Sequence, residues 1–343
     1  MMPSTNFQLP RVCRTVLLAA VVILAAAKPS LAASLVQQAG GSVYVAFNLD
    51  PASLKTNTDW TNSLIFHHPI CQFDTGRAVI RRDMEEMVSH GQRKIATDLW
   101  HARLPASTDC GGFLLNSRGG EFQMNILHNL RSFVALAGEV GFNEVQLRFD
   151  PLSRNDPMLW KAWDESLFEE NQSIILTTID ALKNIEKPKV FFDLGGELGG
   201  AFKVPFVRNY VQRIWRAAME HTDLDHTVGF SIAYAPGKIQ HYIEWLREIG
   251  PLPNGLSLTI YQQPYDRLSS AIREARASGY DPPHFLIQET YYDDAMEYEA
   301  FVRAARDQKA IIRAIMQWPV VPGVKAHISE GRTPLFVYHP QER

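Results

Sequence analysis

An excess of cationic residues is missing from this 343-residue chain: 34 Lys and Arg stand against 37 Asp and Glu, a net charge of −3. With no basic stripe or repeated Lys/Arg cluster, a nucleic-acid partner is not expected. Metal motifs are missing as well. His67 and His68 are adjacent, so on a strand they point to opposite faces; no HxH or HExxH occurs, and no Cys/His spacing fits a structural zinc site. No metal or other cofactor is expected. The mature chain also lacks the G-x-S-x-G elbow of a serine hydrolase. Its first apolar strand runs into NLDPASLKTNTDW rather than a glycine-rich phosphate turn, which counts against a doubly wound nucleotide-binding sheet.

Long hydrophobic runs are scarce, with one informative exception. Arg11 and Arg14 precede VLLAAVVILAAA, which leads into KPSLAA. A positive start, a short apolar stretch and small residues are the parts of a secretory signal, with cleavage expected near Ala32/Ala33. The run is short for a membrane span, an uncleaved anchor being the alternative. The expected organisation is therefore a signal over residues 1–33 and one domain over 34–343. The expected location is secreted or periplasmic, with no membrane contact after cleavage. Cysteine is scarce too, three in all. Losing Cys13 with the signal leaves Cys71 and Cys110, an even pair in an oxidising compartment, and a disulfide between them is expected, two buried thiols being the alternative.

In the remaining chain a β-rich run recurs eight times: 43–47, 93–101, 144–151, 189–197, 227–236, 255–263, 284–292 and 310–319. Helix-period segments lie between, such as RRDMEEMVSHG at 81–91. Eight alternations over this length predict an α/β protein of (β/α)8 TIM-barrel class, with long loops after strands one and two. Those loops contain Cys71 and Cys110, so the disulfide would pin them at the barrel mouth.

Barrel active sites lie at the C-terminal ends of the strands. Strand two ends in Asp98, Trp100 and His101, strand three in Arg148 and Asp150, strand four in Glu197, and strand five in Tyr234. Strand six ends in Tyr261 and Gln263, strand seven in Glu289 with Tyr291 behind it, and strand eight in Trp318. Acids and amides that bind hydroxyls thus converge with aromatic faces that stack on sugar rings, a mixture suited to a carbohydrate. Asp193 reads as a network acid beneath Glu197, and Asp98 with Arg148 reads either as a buried ion pair or as ligand contacts. The stretch FFDLGGELGG brackets Glu197 with bare glycines, which reads as clearance for a sugar ring.

On these residues the chain resembles the retaining glycoside hydrolases of clan A, which carry an acid/base at the end of strand four and a nucleophile at the end of strand seven. The resemblance implies that Glu197 in DLGGE is the acid/base and Glu289 in FLIQET the nucleophile. It also implies that Tyr261 in LTIYQQ touches the nucleophile and that Trp318 in IMQWP is a sugar platform. Two features depart from the pattern. Gly196 stands where the family usually has an Asn before the acid/base, and the arginine is on strand three rather than two. The first departure implies an unusual substrate, a replacement donor such as Gln263 or His101, or a noncatalytic carbohydrate-binding barrel serving exopolysaccharide export or assembly.

Overall fold

The computed structural model describes residues 39–43, 46–47, 66–67, 69–71, 73–89, 91–111, 114–290 and 295–317. The expected signal, Tyr291 and Trp318 lie outside them. Among the described residues the barrel strands are β1 (Ala39–Val43), β2 (Lys94–Ala102), β3 (Glu144–Pro151), β4 (Lys189–Asp193), β5 in two pieces (Thr227–Gly229 and Ile232–Ala233), β6 (Gly255–Thr259), β7 (His284–Thr290) and β8 (Ile312–Gln317). Helices alternate with them: α1 (Phe73–Ser89), α2 (Met124–Val140), α3 (Glu165–Leu182), α4 (Val207–His221), α5 (Lys238–Arg247), α6 (Pro264–Ala277) and α7 (Ala295–Gln308).

All neighbouring barrel strands pair in parallel. The hydrogen-bonded path runs from the second piece of β5 through β6, β7, β8, β1, β2, β3 and β4 to the first piece of β5. It begins and ends on one interrupted strand, the circuit of a (β/α)8 barrel.

Several boundaries differ from the sequence reading: the fourth strand ends at Asp193 rather than 197, the fifth is broken, the sixth ends at Thr259 rather than 263, and two further differences fall at the start of the barrel. The first barrel strand is AGGSV, with Gly41 in register with Lys94 and Met316, rather than the 43–47 run. Glycine has little intrinsic strand preference, and here a partner on each side supplies what the residues do not. Ala46–Phe47 instead pairs antiparallel with Phe66–His67. Helix α1 starts at Phe73, earlier than expected, because buried Phe73, Gly76, Ile80 and Asp83 extend one helical face back from Met84 and Met87.

Strand alternation builds the barrel interior in layers. On β2 the inward residues are Lys94, Ala96, Asp98 and Trp100, in register with Glu144, Gln146, Arg148 and Asp150 of β3. At the floor, Glu144 Oε2 lies 3.4 Å from Lys94 Nζ and 2.6 Å from Arg313 Nη2. Above it Ala96, Phe191, Val228, Leu286, Ala314 and Met316 form an apolar plug. The charged layer of Asp98, Arg148 and Asp193 follows, and Trp100 and Asp150 reach the partly exposed lip. The outward residues Ile95, Leu99, Val145, Leu147 and Phe149 join the larger core under the helices. The plug closes the floor, so a ligand can approach this charge only from the C-terminal end.

The loops at that end are anchored from beneath. Glu170 of α3 accepts from Arg103 Nε at 2.8 Å, Ser117 Oγ at 2.8 Å and Asn155 Nδ2 at 2.9 Å, tying the loops after β2 and β3 to one buried carboxylate. Cys71 and Cys110 are bonded, as expected, with Cα atoms 6.1 Å apart. The bond joins the approach to α1 to a hairpin of Cys110–Gly111 and Leu114–Asn116 that pairs alongside the last residues of β2. Removing it by the paired change Cys71→Ser and Cys110→Ser is expected to cost about 2–4 kcal/mol of stability. Urea titrations of both proteins without reductant measure the difference, and coincident curves would refute that cost.

Candidate active site

Arg148 is the hub, with a side chain 2% exposed. Its Nε lies 3.0 Å from Asp98 Oδ1 and 3.9 Å from Asp193 Oδ2, and its Nη2 donates to Glu289 Oε1. The Asp98 contact is an ion pair at close range but is not aligned as a hydrogen bond. Asp193 Oδ1 in turn accepts from the backbone N–H groups of Gly195 and Ser231, both at 3.2 Å, fixing the chain as it leaves β4.

One guanidinium therefore faces several carboxyls, and they cannot all carry charge cheaply. Burial raises Asp98 to about 7 despite Arg148, with Glu289, Asp193 and Glu197 adding to the rise. Loss of solvent also pushes Asp193 up against the pull of Arg148.

Glu289 sits in the mouth because β7 is irregular. Leu286 faces the plug, so strict alternation would turn Glu289 outward. The register slips after Leu258, and Thr259 pairs with Glu289 instead of Gln288. That bulge turns Glu289 inward. Its Oε2 accepts from the Tyr261 hydroxyl at 2.9 Å while Oε1 accepts from Arg148. Burial and then the charge of Glu289 push the Tyr261 phenol far up, so it keeps its proton and donates. Glu289 stays 12% exposed, open to a ligand.

Glu197 faces this acid from the turn after β4. Its backbone is left-handed, with φ 60°, a conformation costing a non-glycine residue about 1 kcal/mol. Its N–H donates to Ser231 Oγ at 2.9 Å, which holds the turn. Burial, followed by the charge of Glu289, raises its carboxyl, opposed by a hydrogen bond with the Thr259 side chain and by the charges of Arg148 and Lys238. Thr259 also accepts from Gln288 Nε2 at 3.3 Å, and Gln288 Oε1 accepts from Ser257 Oγ at 2.8 Å. Sequence reasoning did not single out Ser231 or Thr259. The signal for Thr259 was available, since Ser257 and Thr259 are the inward polar positions of an otherwise apolar GLSLT strand.

Asp98, Arg148, Glu197, Tyr261 and Glu289 are thus brought together, with Trp100 and Asp150 at the lip. Of the three other candidates among the described residues, two are elsewhere and one is at the surface. His101 is fully buried on the outward face, its Nδ1 3.0 Å from the Leu99 carbonyl oxygen and its Nε2 3.3 Å from Asn171 Oδ1. Alternation from Trp100 sends it away from the mouth. Tyr234 is buried and donates its hydroxyl to Glu274 Oε2 at 3.3 Å, beneath α6. Gln263 is exposed at the start of α6, with φ 49° and no capping bond from its side chain.

The glycines around Glu197 make room for the protein itself, not for a ring. A Cβ on Gly196 would stand 1.7 Å from Asp150 Oδ1, and one on Gly199 would stand 2.8 Å from the Phe230 carbonyl oxygen.

No family model and no curated protein matches the chain. Among solved structures it is similar to an exo-β-1,4-mannosidase from Opitutaceae bacterium strain TAV5, with TM-score 0.53 and 16% identity over 88% of this chain and 57% of that one. It is also similar to a β-mannanase from the blue mussel Mytilus edulis, with TM-score 0.50 and 13% identity over 88% of this chain and 94% of that one. A third likeness is to an endo-1,4-β-mannanase from Eisenia fetida, with TM-score 0.51 and 10% identity over 85% and 89% of the two chains. At these identities the likeness is one of fold, and the fold is the (β/α)8 barrel.

Proposed function

We propose that the chain is an exported glycoside hydrolase of the clan A type, cleaving a poly- or oligosaccharide with retention. The observation that carries this reading is the pairing across the mouth. Glu289 accepts from Arg148 and Tyr261, an arrangement suited to an anionic oxygen, while Glu197 is shifted toward its neutral form. A carboxyl pushed toward its protonated form, facing one held by two donors, is the arrangement that double displacement uses. In the first step Glu289 attacks the anomeric carbon as the glycosidic oxygen leaves with the proton of Glu197. A glycosyl ester on Glu289 results. In the second step Glu197, now ionised, takes a proton from water; the oxygen attacks the same carbon, and Glu289 leaves as carboxylate. Trp100 offers an aromatic face at the lip.

The shift of Glu197 sets the pH profile. An acid must be protonated to donate, so kcat/KM falls as pH rises through the Glu197 pKa, and a raised pKa moves that limb above the ordinary carboxyl range. Glu197→Gln is expected to lose about 10²–10⁴-fold on substrates with poor leaving groups and far less in bond cleavage on activated nitrophenyl glycosides, with the alkaline limb gone. Parallel pH profiles on both substrate types measure this. A limb that survives Glu197→Gln would assign the proton to another group.

A further inference from the structure

We propose that Asp150 is a substrate-gripping residue: its carboxyl fills the space that a side chain at position 196 would occupy, and there it holds the ring hydroxyl beside the reacting carbon. The proposal deepens the glycosidase reading and rests on its placement of the sugar over Glu197 and Glu289.

Three observations carry it. First, Asp150 and Gly196 interlock. A Cβ at 196 would come within 1.7 Å of Asp150 Oδ1 and 2.6 Å of its Cγ, so any other residue there would displace the carboxyl. The Gly196 N–H donates to the Phe149 carbonyl oxygen at 2.9 Å, which fixes this approach along the backbone. Second, the carboxyl is placed but not consumed. Asp150 is an inward residue of β3, in register with Trp100 and partly exposed, whereas Asp98 and Asp193 below it are fully enclosed. No hydrogen bond to its carboxyl is found among the described residues, while Asp193 accepts from two N–H groups and Glu289 from two side chains. Third, it packs on Gly196, the residue directly before Glu197, and it feels the charge of Glu289 across the mouth, so it borders the same space as both acids.

The facing groups decide its chemical form. They are Asp98 on β2, Arg148 on the same strand, Asp193 on β4 and Glu289 on β7. Loss of solvent, followed by the charge of Asp98, outweighs Arg148 and raises Asp150 well above the usual carboxyl range, with Asp193 and Glu289 adding to the rise. A neutral carboxyl has an O–H to give and a carbonyl oxygen to accept with, so it can hold one hydroxyl in either sense. Hydrogen bonds to the hydroxyl beside the anomeric carbon strengthen as the oxocarbenium-like transition state forms.

The experiment compares nitrophenyl glycosides with their 2-deoxy counterparts and, in a Glu289→Gln background where turnover is irrelevant, titrates β-1,4-linked manno-, gluco- and xylo-tetraoses. Asp150→Ala is expected to lose about ten- to hundredfold in kcat/KM on the glycosides and little on the 2-deoxy compounds. Asp150→Asn, which keeps shape and donor, is expected to keep most of the wild-type preference. Because Asp150→Ala could weaken the fold, a second arm reads stability alone. Gly196→Ala should lower the melting temperature in the wild-type chain and be tolerated when combined with Asp150→Gly. Equal losses on both substrate types, tetraose binding unchanged by Asp150→Ala, no tetraose bound by the Glu289→Gln protein, or a Gly196→Ala penalty that persists without Asp150 would each overturn the proposal. Tetraose binding that depends on Asp150 in a protein with no turnover would sustain it while refuting the glycosidase reading.

Discussion

Replacing Glu289 by Gln is expected to lower turnover on the order of 10⁴-fold or more while leaving the barrel intact. The loss follows from chemistry, since an amide cannot form the glycosyl ester, and residues that act as a unit lose nearly everything when one is removed. The intact fold follows from geometry. A Gln oxygen at the same place can still accept from Arg148 or Tyr261, and the side-chain volume is unchanged. Circular dichroism and a melting curve close to wild type would establish folding, and steady-state kinetics the loss. Turnover within tenfold of wild type would remove Glu289 from the mechanism.

The second large effect is on stability. Arg148→Met is expected to destabilise the protein by about 3–5 kcal/mol, because it leaves Asp98, Asp193 and Glu289 facing one another with no cation between them. The effect has a pH signature. Asp98 titrates at about 7 in the folded chain against an ordinary 3.8, so the folded state holds this proton more tightly than the unfolded one. Between about pH 4 and 7 the folded state binds more protons, and this group's contribution falls as pH rises through that window. Without Arg148 the folded pKa rises further and the decline extends to higher pH. Asp98→Asn removes the contribution of this group altogether. Urea titrations of wild type, Arg148→Met and Asp98→Asn across pH 4–8 separate these cases. An Arg148→Met protein as stable as wild type at every pH would show that the layer does not depend on its guanidinium.

The interior layers were legible in the sequence because strand alternation alone generates them. Lys94, Ala96, Asp98 and Trp100 sit at every second position of β2, and Glu144, Gln146, Arg148 and Asp150 repeat the pattern on β3. The acids after the fourth strand and near the end of the seventh were legible in a different way, as polar residues closing apolar runs. What escaped was set by irregularity or by distant partners. Period-2 reasoning gives no warning of the slip after Leu258 that swings Glu289 inward, nor of the break that divides β5 between two neighbours. His101 was read as a mouth residue from its place at the strand end, yet it lies one step out of phase with Trp100 and meets Asn171 of α3. The glycines at 196 and 199 show the same limit. Their smallness is visible in sequence, but whether a ligand or the protein fills the space depends on Asp150 and on the backbone of β5.

The central claim is that Glu289 and Glu197 act on opposite sides of one glycosidic bond. Incubation with a panel of 2-deoxy-2-fluoro glycosyl fluorides, followed by peptide mapping by mass spectrometry, tests it most directly. The account predicts one trapped sugar, ester-linked to Glu289, formed in wild type and absent in Glu289→Gln. A sugar trapped on a different side chain, or hydrolysis of natural glycans with inversion at the anomeric carbon, would contradict it.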